Sequence, residues 1–180
     1  MAISPPEQRI WWNEPIGRNE VLWIGIGLIW CIIMFFMMPY WHLEGQQNPP
    51  TEGYRISSDV YAAKAEAAAA EYTVGTWGET DVPVVKPPPG SDIYMIARLW
   101  EWWPVFELQK GETYRLHLAS LDWLHGFSLQ PVNLNLQIHP GYDMVATITP
   151  TESGEFGIVC NEFCGIGHHT MLGKIVVVDK

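Results

Sequence analysis

The stretch "VLWIGIGLIWCIIMFFMM", Val21 to Met38, runs for eighteen residues without a charge and constrains the chain more than any other feature. With its "PYW" extension to Trp41 it would span roughly 27–32 Å as a helix, against a bilayer core of about 30 Å. Tyr40, Trp41 and His42 read as an interfacial belt at one end, with Trp11 and Trp12 at the other. A signal peptide fits less well, because the run is long and no small-residue cleavage site follows Met38. A buried soluble helix fits least, since so long an uncharged run exceeds what a small core holds. The expectation is an N-terminal segment at residues 1–20 and a single transmembrane helix at 21–41. Arg9, Arg18 and the terminal amine precede the helix, and only Arg55 follows within the range that counts. That balance favours an inner N-terminus and an outer remainder, in a compartment that oxidises thiols.

Residues 42–90 read as a linker carrying one short helix. "HLEGQQNPPTEGYRISS" is rich in Pro, Gly and polar residues, and "VPVVKPPPGSD" is a second, stiffer connector. Between them "DVYAAKAEAAAAEY", Asp59 to Tyr72, is a strong helix former with Asp59 as N-cap. It has little apolar face beyond alanine, which places it on the surface or against a partner. Over 91–180 the pattern changes to short strands: "IYMIARL", "TYRLHLA", "GFSLQ", "LNLQI", "DMVATIT", "EFGIV" and "GKIVVV" alternate with Gly, Pro, Asn and Asp clusters. Alternation in "TYRLHLA" puts Tyr114, Leu116 and Leu118 on one face and Arg115 and His117 on the other. The expected fold is mostly β, a Greek-key sandwich or barrel. The net charge of −10 argues against a nucleic-acid partner and leaves room for a basic protein.

Twelve residues near the C-terminal end, "CNEFCGIGHHTM" from Cys160 to Met171, gather two of the three cysteines with two histidines and a methionine. Thiolate, imidazole and thioether together favour copper over calcium or magnesium. A mononuclear blue site needs one Cys, two His and a weak Met. The loop supplies Cys160, Cys164, His168 and Met171, and His125 in "DWLHGFS" is the best further histidine. That set holds one cysteine more than a mononuclear site requires. Two bridging thiolates can instead hold two copper ions, capped by His125 and His168, with Met171 on one and a backbone carbonyl on the other. A Cys160–Cys164 disulfide leaves His168 and Met171 unexplained. Tetrahedral zinc lacks a clean second Cys/His pair.

The C-x3-C-x3-H-x2-M loop, preceded by "DWLHGFS", resembles the Cu-A domain of subunit II of the haem-copper oxidases, the cytochrome c oxidase family. The resemblance covers the apolar run and residues 91–180. It implies a cupredoxin fold carrying a dinuclear copper centre, with ligands His125, Cys160, Cys164, His168, Met171 and the Glu162 carbonyl. The single helix is similar to the bacterial and archaeal B-type form. Glu162 also matches a position whose carboxylate helps hold magnesium in the mitochondrial type. The implied role is electron entry to a terminal oxidase in a prokaryotic plasma membrane, with the copper domain on the outer, periplasmic side. Electrons would come from cytochrome c or a similar small redox donor and pass to haem in subunit I, where oxygen is reduced and protons are pumped.

Two other functions share these residues: the copper subunit of a haem-copper nitric oxide reductase, and a membrane-tethered copper carrier. Around the loop, Asp122 fits the family's D-x-x-H pattern but reads most simply as a turn residue. In "LWEWWPVFEL", Trp102 and Trp103 are adjacent and would point to opposite faces of a strand. One of them is therefore expected to lie exposed near the copper, where the family keeps an aromatic patch for electron entry.

Overall fold

The structure is a computed structural model that describes residues 15–45, 52–132 and 134–179. The expected interfacial Trp11 and Trp12, and Arg9, lie outside the described residues. The chain divides into two units at Gly45.

The first unit is helix α1 (Arg18–Glu44), three residues longer at each end than the apolar run demanded. At its start the Gly17 N–H donates to the Glu20 carboxylate at 2.6 Å, satisfying one of the amides a helix leaves unpaired. At its end the Gly45 N–H donates to the Trp41 carbonyl at 2.9 Å. None of its residues is buried against protein. Its large apolar side chains, from Val21 to Leu43, are exposed, a surface suited to lipid or to a partner's apolar helices rather than to water. It is the one helix among the described residues long and apolar enough to cross a membrane.

The second unit is a two-sheet sandwich. Strands β1 (Glu52–Arg55), β4 (Asp92–Arg98), β5 (Glu101–Trp103), β7 (Tyr114–Ser120) and β10 (Tyr142–Ile148) form one sheet, in the order β1-β10-β7-β4-β5. The other sheet contains β2 (Thr73–Thr76), β3 (Pro83–Val85), β6 (Val105–Gln109), β8 (His125–Gln130), β9 (Leu134–Ile138), β11 (Gly154–Cys160) and β12 (Leu172–Val178). Its order is β2-β3-β6-β12-β11-β8-β9. β4 runs parallel to β7, and β6 parallel to both β3 and β12, while the remaining pairs are antiparallel. Leu116, Leu118, Met95, Phe106, Phe127, Ile158 and Ile175 fill the space between the sheets. The alternation read in β7 holds, with Tyr114, Leu116 and Leu118 all buried in that core. This is the expected mostly-β, cupredoxin-like sandwich.

The region expected as linker carries more structure than its composition announced. β1 pairs with β10, and β2 and β3 extend the second sheet. Helix α2 (Ser58–Tyr72) buries Tyr61, Ala65 and Ala69. Those positions recur every four residues and so share one helix face. Alanine there acts through its size: Tyr61 and Ala65 pack closely with Tyr94, Ile96 and Ala119 on the first sheet. The Tyr61 hydroxyl donates to the Met95 carbonyl at 3.1 Å. The first sheet is thus covered on both faces, which bears on the tryptophans below.

Candidate metal centre

β11 sits between β8 and β12, so the sheet itself brings the start of β8 beside the end of β11. In that register Cys160 lies opposite Phe127 and Val159 opposite Leu172. His125 opens β8 and Cys160 closes β11, two residues out of register and on adjoining strands. The loop that follows is pinned at both ends: Asn161 N–H donates to the Gly126 carbonyl at 3.1 Å, and Cys160 N–H to the Met171 carbonyl at 3.2 Å. A 3-10 turn, His168–Thr170, carries the chain back to β12.

These pins gather the donors. The two sulfurs lie 3.7 Å apart, and Cys160 Sγ is 3.9 Å from His125 Nδ1. Cys164 Sγ is 3.6 Å from His168 Nδ1 and 3.8 Å from Met171 Sδ. The Glu162 carbonyl comes within 3.2 Å of Cys160 Sγ. A disulfide needs about 2.05 Å between sulfurs, and both cysteines are free. His125, Cys160 and Cys164 form a cluster whose donor atoms all lie within 4.8 Å of one another. His125, Cys160, Cys164 and Met171 are each no more than 3% exposed. Two thiols, two imidazole nitrogens, a thioether and a carbonyl gathered at the margin of the apolar core suit copper, and suit a hard cation poorly.

The electrostatics fit a site that takes its metal by losing protons. Burial, and then the hydrogen bond and charge of Cys160, push the Cys164 thiol up to about 11. A cation must displace that proton, so binding is expected to strengthen as pH rises. Behind His125, Asp122 Oδ1 lies 2.8 Å from Nε2, which leaves Nδ1 facing the sulfurs. Asp122 also accepts from Leu99 N–H at 2.7 Å and Trp123 N–H at 2.6 Å. Burial pushes its carboxyl upward, but the hydrogen bonds from His125, Trp123 and Leu99 outweigh that and hold it below the ordinary value. Asp122 is more than the turn residue its position announced: it orients a donor histidine, as carboxylates commonly do beside metal ligands. The imidazoles beside the two sulfurs are those of His125 and His168, rather than His139 or His169.

The tryptophans depart from expectation. Trp102 and Trp103 do point to opposite faces of β5, but both faces are covered. Trp102 is 2% exposed, packed in the core against Phe127 at 5.4 Å and His125 at 6.3 Å between ring centroids. Trp103 is half-buried and packs beside the α2 cluster. Trp100 is the exposed one, at 40%. Its Nε1 donates to the Cys164 carbonyl at 3.3 Å, and its ring lies so close to Gly167 that a Cβ there would meet it at 2.2 Å. The signal available in the sequence was Gly165 and Gly167, which leave a flat backbone surface for a ring to cover. Phe163, Ile166 and Trp123 add exposed apolar surface on the loop and beside it.

No protein-family model matches the chain. It is 32% identical to cytochrome c oxidase subunit 2 of Thermus thermophilus over 58% of this chain and 79% of that one. It is 37% identical to heme-copper oxidase subunit 2 of Aeropyrum pernix over 97% of this chain and 87% of that one. Among solved structures, a chain of a heme-copper terminal oxidase dimer matches with a TM-score of 0.53 at 22% identity. That match covers 89% of this chain and 100% of the other, which supports the fold. With relatives matched over most of their own length, the chain belongs to the cytochrome c oxidase subunit 2 family of the haem-copper oxidases.

Proposed function

We propose that this chain is the electron-entry subunit of a haem-copper terminal oxidase, with two copper ions held by His125, Cys160, Cys164, His168, Met171 and the Glu162 carbonyl. The observation that carries this reading is the 3.7 Å sulfur pair with a histidine nitrogen beside each sulfur. When bound, the copper pair would supply a one-electron carrier with charge shared over two metals and two sulfurs. The chain's own part is to hold that carrier still. Asp122 fixes the His125 ring, the β8–β11–β12 register fixes both ends of the loop, and burial excludes water from the sulfurs. A copper carrier needs exposed, exchangeable ligands, and the buried donors here favour a retained site instead.

Trp100, rather than Trp102 or Trp103, takes the electron-entry role. It combines an exposed face with a hydrogen bond to the Cys164 carbonyl. The donor is cytochrome c or a similar small redox protein, and the acceptor is haem in a partner subunit embedded in the same membrane as α1. The copper unit lies on the outer side. In the purified complex, cytochrome c oxidation coupled to oxygen uptake is the expected activity, and Cys160→Ser should abolish both. Donor oxidation coupled only to nitric oxide consumption, or unchanged in the variant, would contradict the proposal.

A further inference from the structure

We propose that Asn135 and Gln137 are positioning residues that clamp the copper loop and set the direction of the Glu162 carbonyl. This inference rests on the copper reading above. β9 is an edge strand whose buried residues are Leu134, Leu136 and Ile138 and whose exposed ones are Asn135 and Gln137. Solvent on an edge strand is satisfied by any polar residue. Here both exposed side chains are amides, and they reach two successive residues of the metal loop. Asn161 Nδ2 donates to Asn135 Oδ1 at 2.9 Å, and Gln137 Nε2 donates to Glu162 Oε2 at 2.9 Å.

The loop lies between these amides on a seat without a side chain. Gly126 stands opposite Gln137 in the β8–β9 register. A Cβ on Gly126 would meet Asn161 Oδ1 at 2.0 Å and the Glu162 backbone nitrogen at 2.8 Å. The Asn161 N–H, bonded to the Gly126 carbonyl at 3.1 Å, supplies a third tether. With its flanking side chains and its preceding amide held, the backbone from Asn161 to Glu162 has little freedom to turn. The Glu162 carbonyl then stays 3.2 Å from Cys160 Sγ. A weak ligand's distance tunes the potential of a thiolate-bound copper, and supports of this kind, lying outside the ligands themselves, orient them. The clamp also gives Glu162 a role through its side chain: it accepts from Gln137 while its carbonyl faces the site.

The test uses the copper-loaded full-length chain in detergent. Asn135→Ala, Gln137→Ala and the double variant are compared with wild type by redox titration, paramagnetic resonance and thermal unfolding. A carbonyl that drifts away donates less to the oxidised centre, so the reduced form should gain. Each hydrogen bond lost should shift the reduction equilibrium roughly two- to tenfold. The double variant should shift it furthest and should make the two copper couplings unequal. Gln137→Ala removes only an exposed side chain, so it remains informative if the double variant folds poorly. Variants that melt earlier but keep potential and spectrum would reduce the clamp to a structural role and overturn the proposal. A wild-type chain without a paired-copper signal would instead overturn the function proposed above.

Discussion

Two buried histidines on this sandwich have nearly the same immediate surroundings and opposite prospects. His117, 5% exposed in β7, has Nδ1 2.7 Å from the Asp143 carboxylate. His125, fully buried at the start of β8, has Nε2 2.8 Å from the Asp122 carboxylate. The difference lies across each ring. The free nitrogen of His125 faces the sulfur of Cys160 at 3.9 Å, with Cys164 beyond it. The far nitrogen of His117 faces Asp92 at 3.5 Å, a carboxylate already held by Arg115 at 2.7 Å. Tyr94 lies over the His117 ring at 4.6 Å, and Lys64 lies over Tyr94 at 4.5 Å. A buried histidine with a carboxylate at one ring nitrogen is therefore only half a site. Soft donors opposite make the other half at His125, while at His117 a net of charge and aromatic packing makes a structural joint under α2.

The largest effect that separates the two regions is removal of a bridging sulfur. Cys160→Ser or Cys164→Ser should eliminate the paired-copper signal and leave the β-sheet circular dichroism intact. Either variant retaining a two-copper spectrum would break the comparison. Next, Asp122→Ala should weaken copper binding roughly 10- to 100-fold, measured by competition with a copper chelator. Its counterpart, Asp143→Ala, strands a buried imidazole and should cost about 1–3 kcal/mol of stability. That loss should appear in urea unfolding, with the copper spectrum unchanged. An altered spectrum in Asp143→Ala would mean that the two joints communicate.

The smallest effect is a pH slope. An unfolded cysteine ionises near about 8.5, whereas folded, metal-free Cys164 holds its proton up to about 11. Between those values the folded state binds more protons than the unfolded state, so stability falls as pH rises, on the order of 1.4 kcal/mol per pH unit. Unfolding of the metal-free chain across this range should show the slope, and Cys164→Ser should flatten it.

The sequence made the C-terminal end of the fold legible because its signals are local. Each of the seven named strands appears, and all the loop donors come together with His125. What stayed hidden depends on pairings across long separations. Glu52 to Arg55 look like linker until β10 lies alongside and Glu52 meets Arg115 at 3.0 Å. The alanines of α2 look featureless because their contribution is smallness at four-residue spacing. Asp122 looked like a turn residue because three residues of spacing do not reveal that its carboxylate caps an imidazole. Strand parity separated Trp102 from Trp103 but could not reveal that α2 covers the second face. Trp100, in the turn just before β5, is the tryptophan of this stretch that lies against the loop.

Paramagnetic resonance on the purified chain, with copper counted per polypeptide, separates a paired-copper centre from a single bound ion. Two coppers per chain are expected, with a hyperfine pattern from one unpaired electron shared by both. A single copper with a mononuclear pattern, or a Cys160–Cys164 disulfide in the copper-treated protein, would contradict it.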